Sequence, residues 1–430
     1  MRLDLSRLDE CLLTAGTKGL PPGAAGLRFA DIGAQGWSLL AGDITLPAAV
    51  LKRSAIEHNV AEMQSYAARL GMKLAPHGKT TMCPALFDRQ MAAGAWGITV
   101  ATFAQLELCR HVGVERVLFA NEMIASCEIR ALAHMLEADP AFECFVLVDS
   151  VEGAQRLQHG FAAAGASRSA AVLIEIGMEG GRCGCRTSDD ALALARFIRG
   201  LSRVELHGIE AYEGLLVTGD SAADAAAVGK FLRSVTVSLT RIAQQGLFSK
   251  GAEVILSAGG SVYFDLVALE FSTLRETPVV PVLRSGCYVS HDSGFYRRRL
   301  AQLCERSVLG PAPQLQSALE IWTNVLSRPE PGLAILSAGK RDLSFDIDLP
   351  VPEQWFRRSA MTRPVGVAGW NIVQLSDQHA FMRVPVEADI GVGDLVCLGV
   401  SHPCTTFDKW PLLLEVDDGY RVVAGLRTFF

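Results

Sequence analysis

The sequence predicts an α/β protein in which a (β/α)8 barrel is followed by a smaller, mainly β domain. From about residue 49 to residue 260, short apolar runs alternate with longer amphipathic stretches, a pattern typical of parallel sheets. Eight such runs fall within roughly 210 residues, close to the ~250 of a typical barrel. After residue 286, alternating runs and turns replace the long amphipathic stretches, which indicates a separate β domain.

The eight runs are the predicted barrel strands. Helical spacing between them is clearest in the first unit, where Ile56, Val60, Met63, Ala67 and Leu70 recur every three or four residues. The runs are AVLKR (49–53), KLAPH (73–77), GITVA (97–101), RVLFA (116–120), CFVLVD (144–149), AAVLIEI (170–176), ELHGIEAY (205–212) and EVILSAGG (253–260). We therefore divide the chain into an N-terminal segment that packs on the β domain (1–44), the barrel (45–285) and the β domain (286–430).

Composition argues against several classes of partner. The chain has 430 residues and a formal net charge of -6, without a basic block that would bind nucleic acid or an anionic membrane. Charges interrupt residues 1–16, so these residues lack the apolar stretch of a signal peptide or membrane span. Eleven cysteines without framework spacing suit a reducing compartment. We expect a cytoplasmic protein that binds neither nucleic acid nor membranes.

Lys79, in LAPHGKTT (74–81), is the candidate catalytic residue. It lies just past the second run, two residues after His77, and a barrel gathers its reactive side chains at the carboxyl ends of its strands. The alternative is an ordinary solvated loop lysine. The position at a strand end favours a functional role.

A glycine pair after the last predicted strand is the candidate phosphate site. In SAGGSVYFD (257–265), Gly259 and Gly260 would let backbone N–H groups approach a phosphate, and Ser261 would add a hydroxyl. Barrels often bind phosphate in the loops after their last two strands. A phosphate site and a lysine on the same face suggest pyridoxal phosphate, whose aldehyde forms a Schiff base with a lysine amine.

Two more side chains are predicted to meet the cofactor. Arg182 lies in the loop GMEGGRCGCR (177–186) after the sixth run, and Tyr212 ends the seventh. A surface arginine and a core tyrosine are the alternatives. Cys183 and Cys185 of the same loop could bind a metal, although a lone cysteine pair is a weak signal.

A second unusual stretch, SHPCTTFDKW (401–410), lies in the predicted β domain. His402 and Cys404 are two residues apart, so on an extended segment both side chains would face one way and could share a zinc ion. Two protein ligands leave positions open for catalysis. Asp377 and His379, in LSDQHAFMR (375–383), are candidates for a base or supporting pair near that metal, or else form an edge-strand turn.

Eight motifs in order resemble the D-threonine aldolase and eukaryotic-type D-serine dehydratase family, which has the alanine racemase fold. The resemblance extends from about residue 45 onward. The motifs are PHGKT (76–80), GGRCG (180–184), YEG (212–214), AGGS (258–261), LRSGCYVSHD (283–292), SAGKRDLSFD (337–346), SDQHA (376–380) and SHPCTTFD (401–408).

The resemblance implies roles for most of these candidate residues. Pyridoxal phosphate would attach to Lys79, its phosphate would bind at residues 259–261, and Arg182 and Tyr212 would contact its ring. A divalent metal such as zinc would bind His402 and Cys404, and the protein would be a homodimer. Whether the metal pair serves the lysine of its own chain or the partner's stays open.

The resemblance also implies the reaction, which is water elimination from a D-β-hydroxy amino acid such as D-serine to give a keto acid and ammonia. Relatives that cleave D-threonine carry aspartate where this chain has Cys404, which favours the dehydratases. Thr81 and Met82 replace a histidine and a lysine of the family pattern, and SDQHA departs from its glutamate-rich form. The identity of the substrate is therefore less certain than the reaction type.

Three alternative functions are an aldolase acting on D-threonine or 3-hydroxy-D-aspartate, an amino-acid racemase and a non-enzymatic pyridoxal phosphate carrier. A racemase needs a second base opposite the lysine, for which Tyr288 or His291 is a candidate. Tyr288 and Asp292 are also candidate substrate contacts or supporting residues.

Overall fold

The computed structural model describes residues 2–216, 218–274, 277–306 and 309–430. These residues form two sheets, of eight and ten strands. None of the helices in this described part is both long and apolar enough to cross a bilayer.

The eight-stranded sheet is parallel and curls into a β/α barrel, which confirms the predicted fold class. Its two outer strands meet at a bridge between His77 and Thr99, where the N–H of Thr99 donates to the carbonyl of Pro76 at 2.9 Å. After β1 (Ala48–Lys52), the barrel strands are β2 (Lys73–Leu74), β3 (Ile98–Val100), β4 (Arg116–Glu122), β5 (Glu143–Val148), β6 (Ala170–Ile176), β7 (Val204–Ala211), β8 (Ile255–Ala258) and β9 (Val280–Leu283).

One strand assignment made from the sequence is wrong, and one barrel strand was not predicted. The run at 49–53, predicted as the first barrel strand, forms β1, which pairs instead with strands Leu319–Glu330 and Leu412–Val416 of the other sheet. The eighth barrel strand is β9, which contains Pro281. Because proline has no N–H for the ladder, the sequence signal there is weak. Lys79 thus follows the first barrel strand, and Gly259 follows the seventh.

Helices cover the barrel between these strands. Helix α7, for example, begins at a capping box in which Thr187 and Asp190 exchange side-chain to backbone hydrogen bonds, which satisfies two otherwise free N–H groups. The helices up to the end of the barrel are α1 (Ser6–Asp9), α2 (Arg53–Arg69), α3 (Pro84–Ala92), α4 (Phe103–His111), α5 (Ser126–Ala138), α6 (Val151–Ala163), α7 (Ser188–Arg199), α8 (Ser221–Gln244) and α9 (Phe264–Phe271).

The second sheet makes up a mainly β domain, as predicted. Ile32 and Leu39 of the N-terminal segment share its core with Trp322 and Leu414, so this segment packs on the β domain. The domain boundaries at 44 and 285 stay predictions. The remaining elements are α10 (Phe295–Arg306), β10 (Leu319–Glu330), β11 (Leu333–Leu336), β12 (Val351–Phe356), β13 (Val365–Gly366), β14 (Asn371–Leu375), β15 (Ala380–Arg383), β16 (Leu395–Gly399), α11 (Cys404–Phe407), β17 (Leu412–Val416) and β18 (Val422–Arg427).

A buried carboxylate joins the two domains. Glu415 of β17 is fully buried and binds Arg89 of α3 at 2.5 Å and Arg53 of α2 at 2.9 Å. A buried carboxylate needs charged partners because its desolvation is costly. This cluster therefore fixes the β domain against the barrel, next to the helix that follows the lysine loop.

Candidate active site

A cavity of about 280 Å³ opens at the carboxyl ends of the barrel strands. This volume is near the lower end for small-molecule sites, which span ~300–1,000 Å³. Most of the predicted cofactor residues line it. The lining includes His77, Lys79, Glu122, Glu175, Arg182, Cys183, Glu210, Tyr212, Gly259, Gly260 and Arg284.

Lys79 lies on a short 3-10 turn, Gly78–Thr80, directly after the bridge that closes the barrel. Its side chain is exposed at the cavity mouth. Partial desolvation by the neighbouring protein atoms lowers the pKa of the lysine amine, and the positive charges of Arg182 and Arg284 lower it further. A lowered pKa increases the neutral fraction of the amine, the form that acts as nucleophile or base.

His77 contributes a neutral imidazole to the cavity. Burial, together with the charge of Lys79, holds its pKa well below the usual value. Its Nδ1 atom is buried without a hydrogen-bond partner among the described residues. A buried polar atom of this kind is costly unless a ligand or water meets it.

Arg284 and Glu210 form a buried ion pair in the cavity. Their side chains are only 6% and 2% exposed, and Arg284 also donates to the carbonyl of Ala211 at 2.7 Å. Arg284 Nε and Glu210 Oε2 are buried and, within the described part of the chain, lack hydrogen-bond partners. Sequence reasoning missed Arg284 because it follows the overlooked strand β9.

Three ligand atoms at the cavity wall lie close together. They are a carboxylate oxygen of Glu122, a carboxylate oxygen of Glu175 and the sulfur of Cys183, and all three lie within 4.8 Å of one another. Burial and the charge of Glu210 raise the pKa of Glu175 to about 9, so at neutral pH this carboxyl holds a proton that the cluster can share. Cys183 and Cys185 do not act as a pair, since Cys185 instead donates to the carbonyl of Asp149 at 3.4 Å.

The predicted phosphate site already holds an anion. The N–H groups of Gly259 and Gly260 donate to the buried carboxylate of Glu213 at 3.1 and 2.8 Å. Gly259 has a φ of 94°, a conformation that favours glycine. The hydroxyl of Ser261 accepts from the N–H of Cys287 at 3.4 Å. The turn is suited to an anion, but a phosphate on these two N–H groups would have to displace Glu213.

Cys404 lies beside the lysine loop of its own chain. Its sulfur is 3.6 Å from the hydroxyl oxygen of Thr80 and 3.6 Å from the sulfur of Cys287. The hydrogen bond between the two thiols lowers the pKa of Cys287 to about 6 and raises that of Cys404. The predicted extended conformation is wrong, because Cys404 begins the short helix α11.

His402 is oriented by an acidic neighbour that sequence reasoning did not assign. Its Nδ1 lies 2.5 Å from Oδ2 of Asp346, and the hydroxyl of Thr405 donates to the other oxygen of that carboxylate at 2.8 Å. An imidazole that donates from Nδ1 keeps Nε2 free as an acceptor or metal ligand. Asp346 lies within the motif SAGKRDLSFD, which was the available signal.

Apart from the glycine turn, which Glu213 occupies, these residues fit pyridoxal phosphate and a divalent metal. The lysine amine opens into a cavity in which one buried atom each of His77, Glu210 and Arg284 has no hydrogen-bond partner among the described residues, as expected where a polar ligand binds. Arg182 lies over the ring of Tyr212, 4.9 Å from its centroid. An imidazole with a free Nε2 and a thiol are the donors that zinc prefers.

The remaining candidates have structural partners instead. Tyr288 is buried and accepts a hydrogen bond from Gln90 at 3.0 Å, and buried Asp292 accepts from the N–H groups at the start of α10. Asp377 and His379 are exposed in the turn between β14 and β15, which agrees with the edge-strand alternative. None of these four lines the cavity around Lys79.

Two domain families match the chain. The alanine racemase N-terminal domain matches residues 51–247, and the putative serine dehydratase domain matches residues 318–416. The two matches correspond to most of the barrel and to much of the β domain.

Individual relatives match most of the chain. It is 26% identical to D-threonine aldolase from an Arthrobacter species over 380 residues, which cover 87% of this chain and 90% of the relative. It is 26% identical to D-threo-3-hydroxyaspartate dehydratase from Delftia sp. (strain HT23) over 379 residues, 85% and 92% of the two chains.

A solved structure extends the likeness to the whole fold. The crystal structure of D-threonine aldolase from Filomicrobium marinum has a TM-score of 0.75 and 25% identity, and covers 91% of this chain and 97% of that one. The chain thus matches an alanine racemase N-terminal domain followed by a putative serine dehydratase domain, has the alanine racemase-like fold, and is similar over most of its length to D-threonine aldolase and D-threo-3-hydroxyaspartate dehydratase.

Proposed function

We propose that this protein is a pyridoxal phosphate- and zinc-dependent lyase that eliminates water from a D-β-hydroxy amino acid such as D-serine. One observation carries the proposal: the sulfur of Cys404 lies 3.6 Å from the side chain of Thr80, the residue after Lys79. A candidate metal ligand and a candidate cofactor lysine therefore lie in one site of one chain.

Lys79 would both hold the cofactor and move the α proton. When bound, pyridoxal phosphate supplies an electron sink that stabilises negative charge at the substrate Cα. The lowered pKa of the Lys79 amine favours the neutral form, which can remove that proton. We assign this role to the lysine and not to His77, whose imidazole is neutral. The Nδ1 atom of His77, which has no hydrogen-bond partner in the described part of the chain, would form a hydrogen bond with the ligand.

The leaving group would be assisted from the β domain. His402 and Cys404 would hold a divalent metal, for which we propose zinc, and the metal supplies Lewis-acid chemistry at the β-hydroxyl when bound. Asp346 orients the imidazole, as a carboxylate commonly does beside a metal-binding histidine. Loss of the hydroxyl leaves an enamine, which hydrolyses to a keto acid and ammonia.

An aldolase is the second candidate. The 26% identity to the Arthrobacter D-threonine aldolase favours it as much as the identity to the Delftia dehydratase favours the first proposal. The same site would then assist proton removal from the hydroxyl and cleavage of the Cα–Cβ bond. The cysteine at position 404 supports the dehydratase.

The other two alternatives receive less support. Tyr288 and His291, the candidate second bases of a racemase, do not line the cavity around Lys79. A simple cofactor carrier would have no use for the β domain or for the cysteine that this domain brings to the lysine loop. The homodimer and the cytoplasmic location stay predictions.

Product analysis tests the proposal directly. The cofactor-loaded enzyme is incubated with D-serine, D-threonine and D-3-hydroxyaspartate, with and without a metal chelator. A keto acid and ammonia indicate a dehydratase, whereas glycine and an aldehyde indicate an aldolase. Turnover that persists in Lys79→Ala or after chelation would contradict the proposed mechanism.

A further inference from the structure

We propose that Cys287 is a third protein ligand of the metal, beside His402 and Cys404. The inference deepens the proposed function and rests on it, because it concerns the metal of the same site. Cys287 lies in the motif LRSGCYVSHD, on the loop that follows the last barrel strand β9. The metal would then join the barrel to the β domain.

The distance between the two sulfurs fits one metal ion. They lie 3.6 Å apart. Two thiolates bound tetrahedrally to zinc at ~2.3 Å would be about 3.8 Å apart. A shift of a few tenths of an ångström would therefore suffice to place both sulfurs on one zinc ion.

The backbone holds Cys287 at this place. Its N–H donates to the hydroxyl of Ser261, and the preceding Gly286 packs directly on the lysine loop. A Cβ added at Gly286 would lie 2.6 Å from the carbonyl oxygen of His77, so this approach requires glycine. Cys287 as a whole is only 5% exposed, and its sulfur lies 3.8 Å from the hydroxyl oxygen of Thr80.

The third proposed ligand, the imidazole of His402, does not yet lie beside the two sulfurs. Among the described residues, the one group of three ligand atoms within 4.8 Å of each other is that of Glu122, Glu175 and Cys183. The proposal therefore requires His402, together with the Asp346 carboxylate that orients it, to move toward the two sulfurs when the metal enters. The acidic group is the weaker metal site, because it lies in the cofactor cavity and its Glu175 is protonated at neutral pH.

Three protein ligands suit a catalytic zinc better than two. Catalytic zinc sites typically have three protein ligands and one open position, and two cysteines with one histidine is an established set. Any proton still held by the two sulfurs would be released to solvent on binding. Two thiolates and a neutral imidazole would balance the charge of the ion and still leave one position for the substrate hydroxyl.

X-ray absorption at the zinc edge counts the sulfur ligands in the cofactor-loaded enzyme. We expect two sulfurs per zinc in the native protein and in the control Cys127→Ser, which alters an exposed cysteine on α5. We expect one sulfur in Cys287→Ser and in Cys287→Ala, with a loss of zinc affinity of more than tenfold in chelator competition. Retained cofactor absorbance shows that each variant is folded.

The outcomes separate this inference from the proposed function. One sulfur per zinc in the native enzyme, or a Cys287→Ser variant with native sulfur count and affinity, would overturn the third ligand. The proposed function would still stand if Cys404→Ser lost zinc and turnover. It would itself fail if neither Cys404→Ser nor chelation changed turnover.

Discussion

Replacing Asp346 by asparagine tests whether this carboxylate orients His402 for metal binding. The carboxylate accepts a short hydrogen bond from His402 Nδ1, at 2.5 Å, and is held in place by Thr405. Asparagine has nearly the same shape but no charge. The charge-assisted bond that fixes the imidazole tautomer is thereby lost, and Nε2 becomes a weaker and less well oriented ligand.

The solvent exposure of His402 and Asp346 determines how large a loss of zinc affinity we expect. Loss of a partner that orients a metal-binding histidine typically costs ~10- to 100-fold in metal affinity or activity. The side chains of His402 and Asp346 are 21% and 43% exposed, so solvent screens part of the interaction. We therefore expect a loss near the lower end, about tenfold or ~1.4 kcal/mol in zinc affinity.

Chelator competition measures this affinity. Asp348→Asn is the matched control, because Asp348 is 39% exposed and pairs with Arg298 instead of the histidine. Turnover of Asp346→Asn should fall at limiting zinc and largely recover at saturating zinc. Native affinity in Asp346→Asn, or an equal loss in the control, would refute the role we assign to this carboxylate.

Three further substitutions test the framework around the site. Glu415→Gln removes the charge that Arg89 contacts and should lower the free energy of unfolding by ~3 kcal/mol in urea denaturation, whereas the exposed Glu387→Gln should not. The ion pairs lower the pKa of Glu415. The stability that they provide is therefore present above pH ~4.3 and is lost as the pH falls below it. An acid unfolding transition that is the same in Glu415→Gln as in the native protein would contradict this pH dependence. Glu213→Gln leaves one glycine N–H without an acceptor and should cost the cofactor-free protein ~1–3 kcal/mol, so an unaltered urea midpoint would count against it. Gly286→Ala should displace the lysine loop and reduce cofactor absorbance after reconstitution, and native absorbance would show that the loop has room.

The sequence predicted the architecture because each part of it depends on local patterns. Alternating apolar runs and amphipathic stretches are enough to indicate a parallel barrel and a later β domain. They do not say which sheet a run joins. β1 looks like a barrel strand, but its partners lie at 319–322 and 414–416, and only the folded chain brings them together.

The same division applies to the site. The sequence alone predicted that Lys79, Arg182, Tyr212 and the glycine pair lie close together, because strand ends in a barrel meet at one rim, and the structure brings them to one cavity. Only the tertiary structure placed Cys404 beside Thr80 and Cys287, at sequence separations of 324 and 117 residues. It also decided which groups are neutral, since pKa values depend on burial and on neighbouring charges that no linear spacing contains.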